Sequence, residues 1–221
     1  MAKRRLSKEL RRVQLLDTAA GLFGRGSFAQ VTTADLAKAA GVTEPVLYQH
    51  FKTKLDLFVA VLKRAKDVTI EHYDEVSAAM PTPLLKLIAV VRVHGDVMRK
   101  NEPYFRLHLR ALAESDLARV RGVLRDNYLA YNRYFAELIR RGQAQGEVHK
   151  AVDAEQTAWF IMSQGVFMNL CNQLGIKELQ EHGYVEGLMA DALSHISLIE
   201  DPLKLAAQIA GQNSGVGGQG S

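Results

Sequence analysis

The sequence predicts an all-α protein, with a small three-helix head at the N-terminus and a larger helical body behind it. Three observations predict this. Apolar residues recur three and four apart along most of the chain, the spacing of one helix face. Ser/Thr-type starts with an acid or amide three residues on mark where helices open. The part of the chain beyond Met80-Pro81-Thr82-Pro83 carries no strand signal and no repeat. A length of 221 residues allows one or two domains with a sizeable core.

Residues 1–7 form a cationic arm with Lys3, Arg4 and Arg5. Such an arm either reaches a minor groove or adds non-specific attraction, and both readings stand at this point. Leu10, Val13, Leu16, Ala20 and Phe23 then describe the inner face of a first helix, stopped by Gly24 and Gly26, with Phe28 and Val31 plugging the core behind it. Thr32 and Asp35 form a capping box. Leu36, Ala37 and Ala40 give the next helix its apolar face, and Gly41 ends it where a left-handed residue is required. Thr43 caps a third helix, in which Pro45 is tolerated because first-turn N–H groups lack intrahelical partners. Leu47 and Phe51 face inward from it. Thr53 with Asp56 opens a long helix through Leu55, Phe58, Val61, Leu62 and Ala65 towards residue 78. The two prolines at 81 and 83 break the chain there, making a mechanical joint.

Behind the joint, Leu84, Ile88, Val91, Gly95 and Met98 make one helix, and Asn101-Glu102-Pro103 starts another through Phe105, Leu109 and Leu112. A long helix is expected from about Asp116 to Arg141, with Leu117, Val120, Leu124, Tyr128, Tyr131, Phe135 and Leu138 inward and Gly142 or Gly146 at its end. Asp153 caps the most apolar helix, Ala154 to Leu174, which Gly175 closes. A last helix is expected over Tyr184 to Ile199, with a short piece from Leu203 to Ala210. The Gly/Ser/Gln-rich tail, 211–221, is too poor in apolar residues to order.

Two helices joined by a tight Gly turn, with small Ala residues where they cross, describe a helix-turn-helix whose second helix would lie in a major groove. Ala-Ala-Gly turns also occur in plain helical bundles. What separates the two readings is the outward set Thr43, Glu44, Tyr48, Gln49, His50, Lys52 and Lys54, polar and cationic as phosphate positioning requires. Net charge points the same way. Residues 1–66 hold 13 Lys and Arg against 5 Asp and Glu, whereas 67–221 hold 15 against 19, so the basic share of the chain contains the helix-turn-helix.

The run Leu-Ala-Lys-Ala-Ala-Gly-Val-Thr-Glu-Pro-Val-Leu-Tyr-Gln-His-Phe-Lys-Thr-Lys resembles the DNA-binding signature of tetracycline-repressor (TetR) family transcription regulators. The matching residues are Gly41-Val42-Thr43, Leu47-Tyr48, His50-Phe51 and Lys54. With the residues that frame it, 32–58, the motif covers about an eighth of the chain. The resemblance implies an N-terminal helix-turn-helix DNA-binding domain with its arm (1–55), a helical ligand-binding and dimerisation domain (56–210), an inducer pocket and a homodimer. Tyr48, His50, Lys52 and Lys54 are expected to hold phosphates, with Thr32 and Thr33 offering backbone N–H groups and hydroxyls to the other edge of the groove. Thr43, Glu44, Pro45, Val46 and Gln49 are the base-edge candidates. Glu44 suits a cytosine amino group, Gln49 an adenine, and Pro45 and Val46 thymine methyls. Glu44 is equally accounted for as a first-turn acid favoured by the helix dipole.

Trp159, Phe160, Val166 and Leu170, on a helix apolar almost all round, together with Leu188 and Leu193, are expected to pair with their copies in a four-helix interface. His94, Met98, Phe105, His108, Tyr128, Tyr131 and Phe167 mix aromatic, sulfur and polar groups as small-molecule pockets do. For each of these, ordinary core packing is the competing account. His94 and His108 show no metal spacing, and no metal or other cofactor is expected. The single cysteine, Cys171, excludes an internal disulfide framework and suits a buried thiol. No secretory signal and no membrane span is legible, so a cytoplasmic location is expected. There is no Gly-rich phosphate loop, nucleophile elbow or paired Cys–His signature, which argues against an enzyme. The expected function is a dimeric regulator, a repressor on a palindromic double-stranded operator, released by a small lipophilic inducer. Its rival is a ligand-sequestering or partner-binding helical protein with a vestigial DNA-binding head.

Overall fold

A computed structural model describes residues 7–99, 103–176, 178, 187, 192–193, 195–199, 201 and 204–209, with side chains for all but 93–99, 103, 105, 106 and 172. Among these residues there are eight named α-helices: α1 (Lys8–Phe23), α2 (Thr33–Ala40), α3 (Glu44–His50), α4 (Lys54–Ser77), α5 (Pro83–Arg99), α6 (Pro103–Leu112), α7 (Ala118–Ala144) and α8 (Ala154–Leu174). A further helical stretch covers 204–209. The extended structure among the described residues is one isolated antiparallel bridge between Val148 and Ser197. The helix expected over 184–199 falls largely outside the described residues, and so do the arm at 1–6 and the tail at 211–221.

The chain forms two compact units, Met1–Thr69 with Asn101–Tyr128, and Ile70–Lys100 with Leu129–Ser221. The first unit is larger than the segment 1–55. Leu15, Leu16, Ala19, Ala20 and Phe23 of α1 share one core with Leu36 and Ala40 of α2, Leu47 of α3 and Phe58 and Leu62 of α4, and Leu107, Ala111, Val120 and Leu124 of α6 and α7 join it. Periodicity shows that a helix has an apolar face, but not which core receives that face.

The local signals hold where they depend on near neighbours. In the Thr32 capping box, Thr32 Oγ1 accepts from the Asp35 N–H at 3.1 Å while Asp35 Oδ2 accepts from the Thr32 N–H at 3.2 Å. The Thr32 hydroxyl, which donates to Asp35 Oδ2 at 2.6 Å, and then the Thr32 N–H hold the Asp35 carboxyl below the usual carboxylate range. Gly41 sits at φ 66°, the left-handed cap that reverses the chain into α3. Thr53 Oγ1 accepts from the Asp56 N–H at 3.0 Å, and Asp153 Oδ1 accepts from the Gln156 N–H at 2.9 Å at the start of α8. Thr43 departs from expectation, because it makes no side-chain cap bond to α3. So does α1, where Leu10 and Val13 are 59% and 39% exposed. Its first turns carry the right spacing, yet neither residue joins the first unit's buried core. The long helix α7 passes through Gly142, and the chain turns at Gly146, φ 74°.

In the second unit, Tyr73 packs against the rings of Tyr134 and Phe135, with centroids 5.8 and 5.7 Å away. Burial, followed by the neighbouring Tyr131 and Tyr134, pushes its hydroxyl well above the usual range. Glu147 is buried and unforeseen from sequence. Its Oε2 accepts from the Leu84 N–H at 3.2 Å in the first turn of α5, where the helix dipole favours an anion. Its own C=O accepts from the Leu198 N–H at 2.7 Å. The Pro81–Pro83 break is therefore followed by a helix whose start is capped from elsewhere in the same unit.

Candidate nucleic-acid interface

A short third helix can offer base-reading side chains only if something else holds it still. Seven residues are too few to be stable alone, and α3 is anchored from three directions. Leu47, 3% exposed, fills the first unit's core from its inner side. At its C-terminal end, Arg12 Nη1 of α1 donates to the His50 carbonyl at 3.1 Å, and the guanidinium stands 4.4 Å above the Phe51 ring. At its start, Thr33 Oγ1 of α2 donates to Glu44 Oε2 at 2.6 Å. Gln14 Nε2 adds a bond to the Ala40 carbonyl at 3.3 Å, tying α1 to the end of α2.

What remains outward is the expected set in part. Thr43, Pro45, Tyr48 (46%) and Gln49 are exposed, Val46 is half-buried, and Lys52 is exposed just beyond the helix. Glu44 is half-buried and already engaged by Thr33, so neither is a free group. His50 is half-buried, and its imidazole is held below its usual range by partial desolvation first, then by Lys8, Arg12 and Arg11 of α1. Lys54 has partners of its own. Its Nζ donates to the carbonyls of Phe28 at 2.7 Å and Val31 at 3.0 Å and lies 4.4 Å over the Phe28 ring.

Sequence reasoning missed the α1 cations. Lys8, Arg11 and Arg12 stand three and four apart on one helix, a signal masked by reading α1 only for its apolar stripe. Arg12 both fixes α3 and places positive charge beside it. Two further ties hold α6 and α7 against this head. The Tyr104 hydroxyl donates to Asp17 Oδ1 of α1, and burial with that carboxylate raises the Tyr104 pKa. Arg119 Nη2 meets Asp56 Oδ1 at 2.8 Å, and that guanidinium, with Thr53, keeps the Asp56 carboxyl low.

Of the expected ligand residues, His108 is buried in the first unit with the Tyr128 ring edge-on at 6.1 Å. Tyr131 is buried in the second unit, and Phe167 is 52% exposed on α8. The side chains of His94, Met98 and Phe105 lie outside the described set. An open cleft of about 370 Å³ runs between α8 (Gln156, Thr157, Phe160, Ile161) and Ala192, Leu193, His195 and Ile196, and none of the seven lines it. Of the expected interface residues, Trp159, Phe160, Val166 and Leu170 are 38–49% exposed. Leu193 is 1% exposed, covered within its own chain, and Leu188 lies outside the described residues. Cys171 is buried and unpaired. No described helix is long and apolar enough to cross a membrane.

Comparison with known proteins agrees with this head and body. The family profile described as bacterial regulatory proteins, tetR family, matches residues 15–61. The activator FasR of Mycolicibacterium smegmatis is 33% identical over 103 residues, 47% of each chain, so the match spans about half of that relative. The regulator TtgR of Pseudomonas putida is 29% identical over 159 residues, 66% of this chain and 72% of TtgR. A TetR-family regulator from Cytophaga hutchinsonii superposes with TM-score 0.75 at 18% identity, over 89% of this chain and all of that one. The profile on the helix-turn-helix and the regulators that match beyond it make the N-terminal part similar to the DNA-binding domain of TetR-family transcriptional regulators, and the chain has the fold of a TetR-family regulator.

Proposed function

We propose that this regulator acts in the cytoplasm as a homodimeric repressor on a palindromic operator and is released by a small lipophilic ligand. The observation that carries the DNA part is the exposed row of Thr43, Pro45, Tyr48 and Gln49 on a helix pinned at both ends and along its inner face. Rigid presentation lets a short helix discriminate, because a bidentate contact to the wrong base loses about 1–3 kcal/mol only when the side chain cannot wander. Gln49 and Val46 read base edges in this scheme, while Tyr48, His50 and Lys52 hold phosphates. Glu44, fixed by Thr33, presents an acceptor of the kind a cytosine amino group needs. Residues 56–210 supply the ligand site and the dimer contact. Two heads related by a two-fold axis would read half-sites about 34–36 Å apart or a multiple of that.

Ligand release requires a second conformation in which the heads are wrongly spaced. The ligand must prefer it by a few kcal/mol, since equal affinity for both states shifts nothing. The helix from Lys54 and the break at Pro81–Pro83 are the proposed route.

Selection of duplexes from a random library by the purified protein tests the reading. The expected product is an inverted repeat, and Gln49→Ala should relax preference at one or two positions of each half-site. A uniform loss at every position would remove Gln49 from the base readers, and a library with no enriched sequence would return the protein to the class of ligand-binding helical proteins.

A further inference from the structure

We propose that Lys54 is a positioning residue for DNA binding and not a phosphate contact: its ammonium fixes the chain that enters α2 and so sets where the start of α2 meets the duplex. The proposal rests on the DNA-binding reading above. It begins from the partners of Nζ. An ammonium has three donors. Two are spent on the Phe28 and Val31 carbonyls, and the group is seated over the Phe28 ring. Charge-assisted hydrogen bonds of this kind are about twice as strong as neutral ones, and the side chain is half-buried. A passing phosphate would compete with three existing attractions for a single remaining donor.

The identity of the acceptors gives this arrangement its consequence. Val31 is the residue immediately before the α2 N-cap, and its own side chain is 7% exposed in the core. Phe28 packs against Phe23 and Phe58, with centroids 6.1 and 5.0 Å away. Lys54 thus stitches the start of α4 to both ends of the segment leading into α2. The capping box uses the N–H groups of Thr32 and Asp35. Of the first-turn donors, those of Thr33 and Ala34 are left to face an anion. Their direction depends on the backbone between 28 and 32, where a single turn, the Val31 N–H to the Ser27 carbonyl at 3.2 Å with the Gln30 N–H to Ser27 Oγ at 3.3 Å, is the local bonding that Lys54 supplements. Thr33 cannot substitute with its hydroxyl, since Glu44 already receives it.

The test uses the full chain and a duplex enriched by the wild-type protein, titrated at several salt concentrations. Lys52→Ala, which removes an exposed cation, should lower the slope of log affinity against log salt by about 0.9. Lys54→Gln and Lys54→Arg should both weaken binding on the order of tenfold, the size of one or two lost hydrogen bonds, with the wild-type slope. The Arg variant fails in this scheme because a planar fork cannot converge on two carbonyls as a compact ammonium does. Hydrogen exchange in the DNA-free variants should quicken at the amides of 28–34. A slope reduced by about 0.9 in Lys54→Gln, or Lys54→Arg binding like wild type with exchange at 28–34 unchanged, overturns the proposal. Should Lys54→Gln fail to fold, the Arg variant decides alone. Should the wild-type protein enrich no duplex, the DNA reading falls, and exchange at 28–34 still reports whether the brace exists.

Discussion

His108 shows how far burial alone can move a titratable side chain. Burial pushes its imidazole down to about 4, partly opposed by its hydrogen bond with the Tyr104 backbone. The unfolded chain keeps the ordinary value near 6.5. Between those two values the unfolded state binds more protons than the folded one, so stability falls as pH drops from about 6.5 to about 4 and this contribution levels off below. At ~1.4 kcal/mol per pH unit the loss across that window is roughly 3 kcal/mol. Urea unfolding at pH 7 and pH 4.5 checks it, with His108→Gln as the partner variant. The variant should lose clearly less stability over that interval, and an equal loss in both would refute the assignment. Sequence could nominate His108 only as a polar group among aromatics. Its burial is a three-dimensional fact, as are the partners of Thr33 and Lys54, which lie 11 and 23–26 residues away along the chain.

Elements were the most legible scale, because their signals are local. A capping box spans four residues and a left-handed glycine only one, so Thr32–Asp35 and Gly41 stand where the sequence puts them. At Gly41 a Cβ would meet no atom within 4 Å, so the position is spared steric crowding but not backbone strain at φ 66°. Gly41→Ala should therefore cost about 1–2 kcal/mol of stability, the penalty of an L-residue in the left-handed region. A fall in the urea midpoint with unchanged m-value is the readout. No change would mean that the turn relaxes to another conformation, and the α2–α3 angle should then move with loss of DNA binding. Illegible at this scale were the first turns of α1 and the cap of α3. Leu10 and Val13 obey the helical period yet stay exposed, since period describes one element and burial requires a second. Thr43 has the right side chain at the right place, but Thr33 of the preceding helix reaches the first turn of α3 instead, through Glu44.

At the scale of the molecule, α8 is the element whose burial is incomplete. Ala158, Ile161, Met162 and Cys171 are covered inside the chain, while Trp159, Phe160, Val166, Phe167 and Leu170 form a second apolar face that is 38–52% exposed. The sequence showed a helix apolar on all sides; only the fold could divide it into a face used within the chain and a face left over. A leftover face of two Phe, a Trp and two aliphatics is larger than a soluble monomer ordinarily shows to water. An isologous contact would cover it, and each residue would then count twice. Burying one such side chain is worth about 1.5–3 kcal/mol, so Phe160→Glu with Phe167→Glu should move the dissociation constant by several orders of magnitude. Sedimentation at micromolar concentration should find the wild-type chain as a dimer and the double variant as a monomer with the same helix content, because both positions lie on the surface of the single chain. The variant should also lose its grip on a two-half-site operator while retaining weak, salt-sensitive attraction to any duplex. A double variant that remains dimeric would place the contact on another face. A wild-type chain that sediments as a monomer would leave α8's exposed stripe to some other partner and remove the symmetry on which palindromic reading depends.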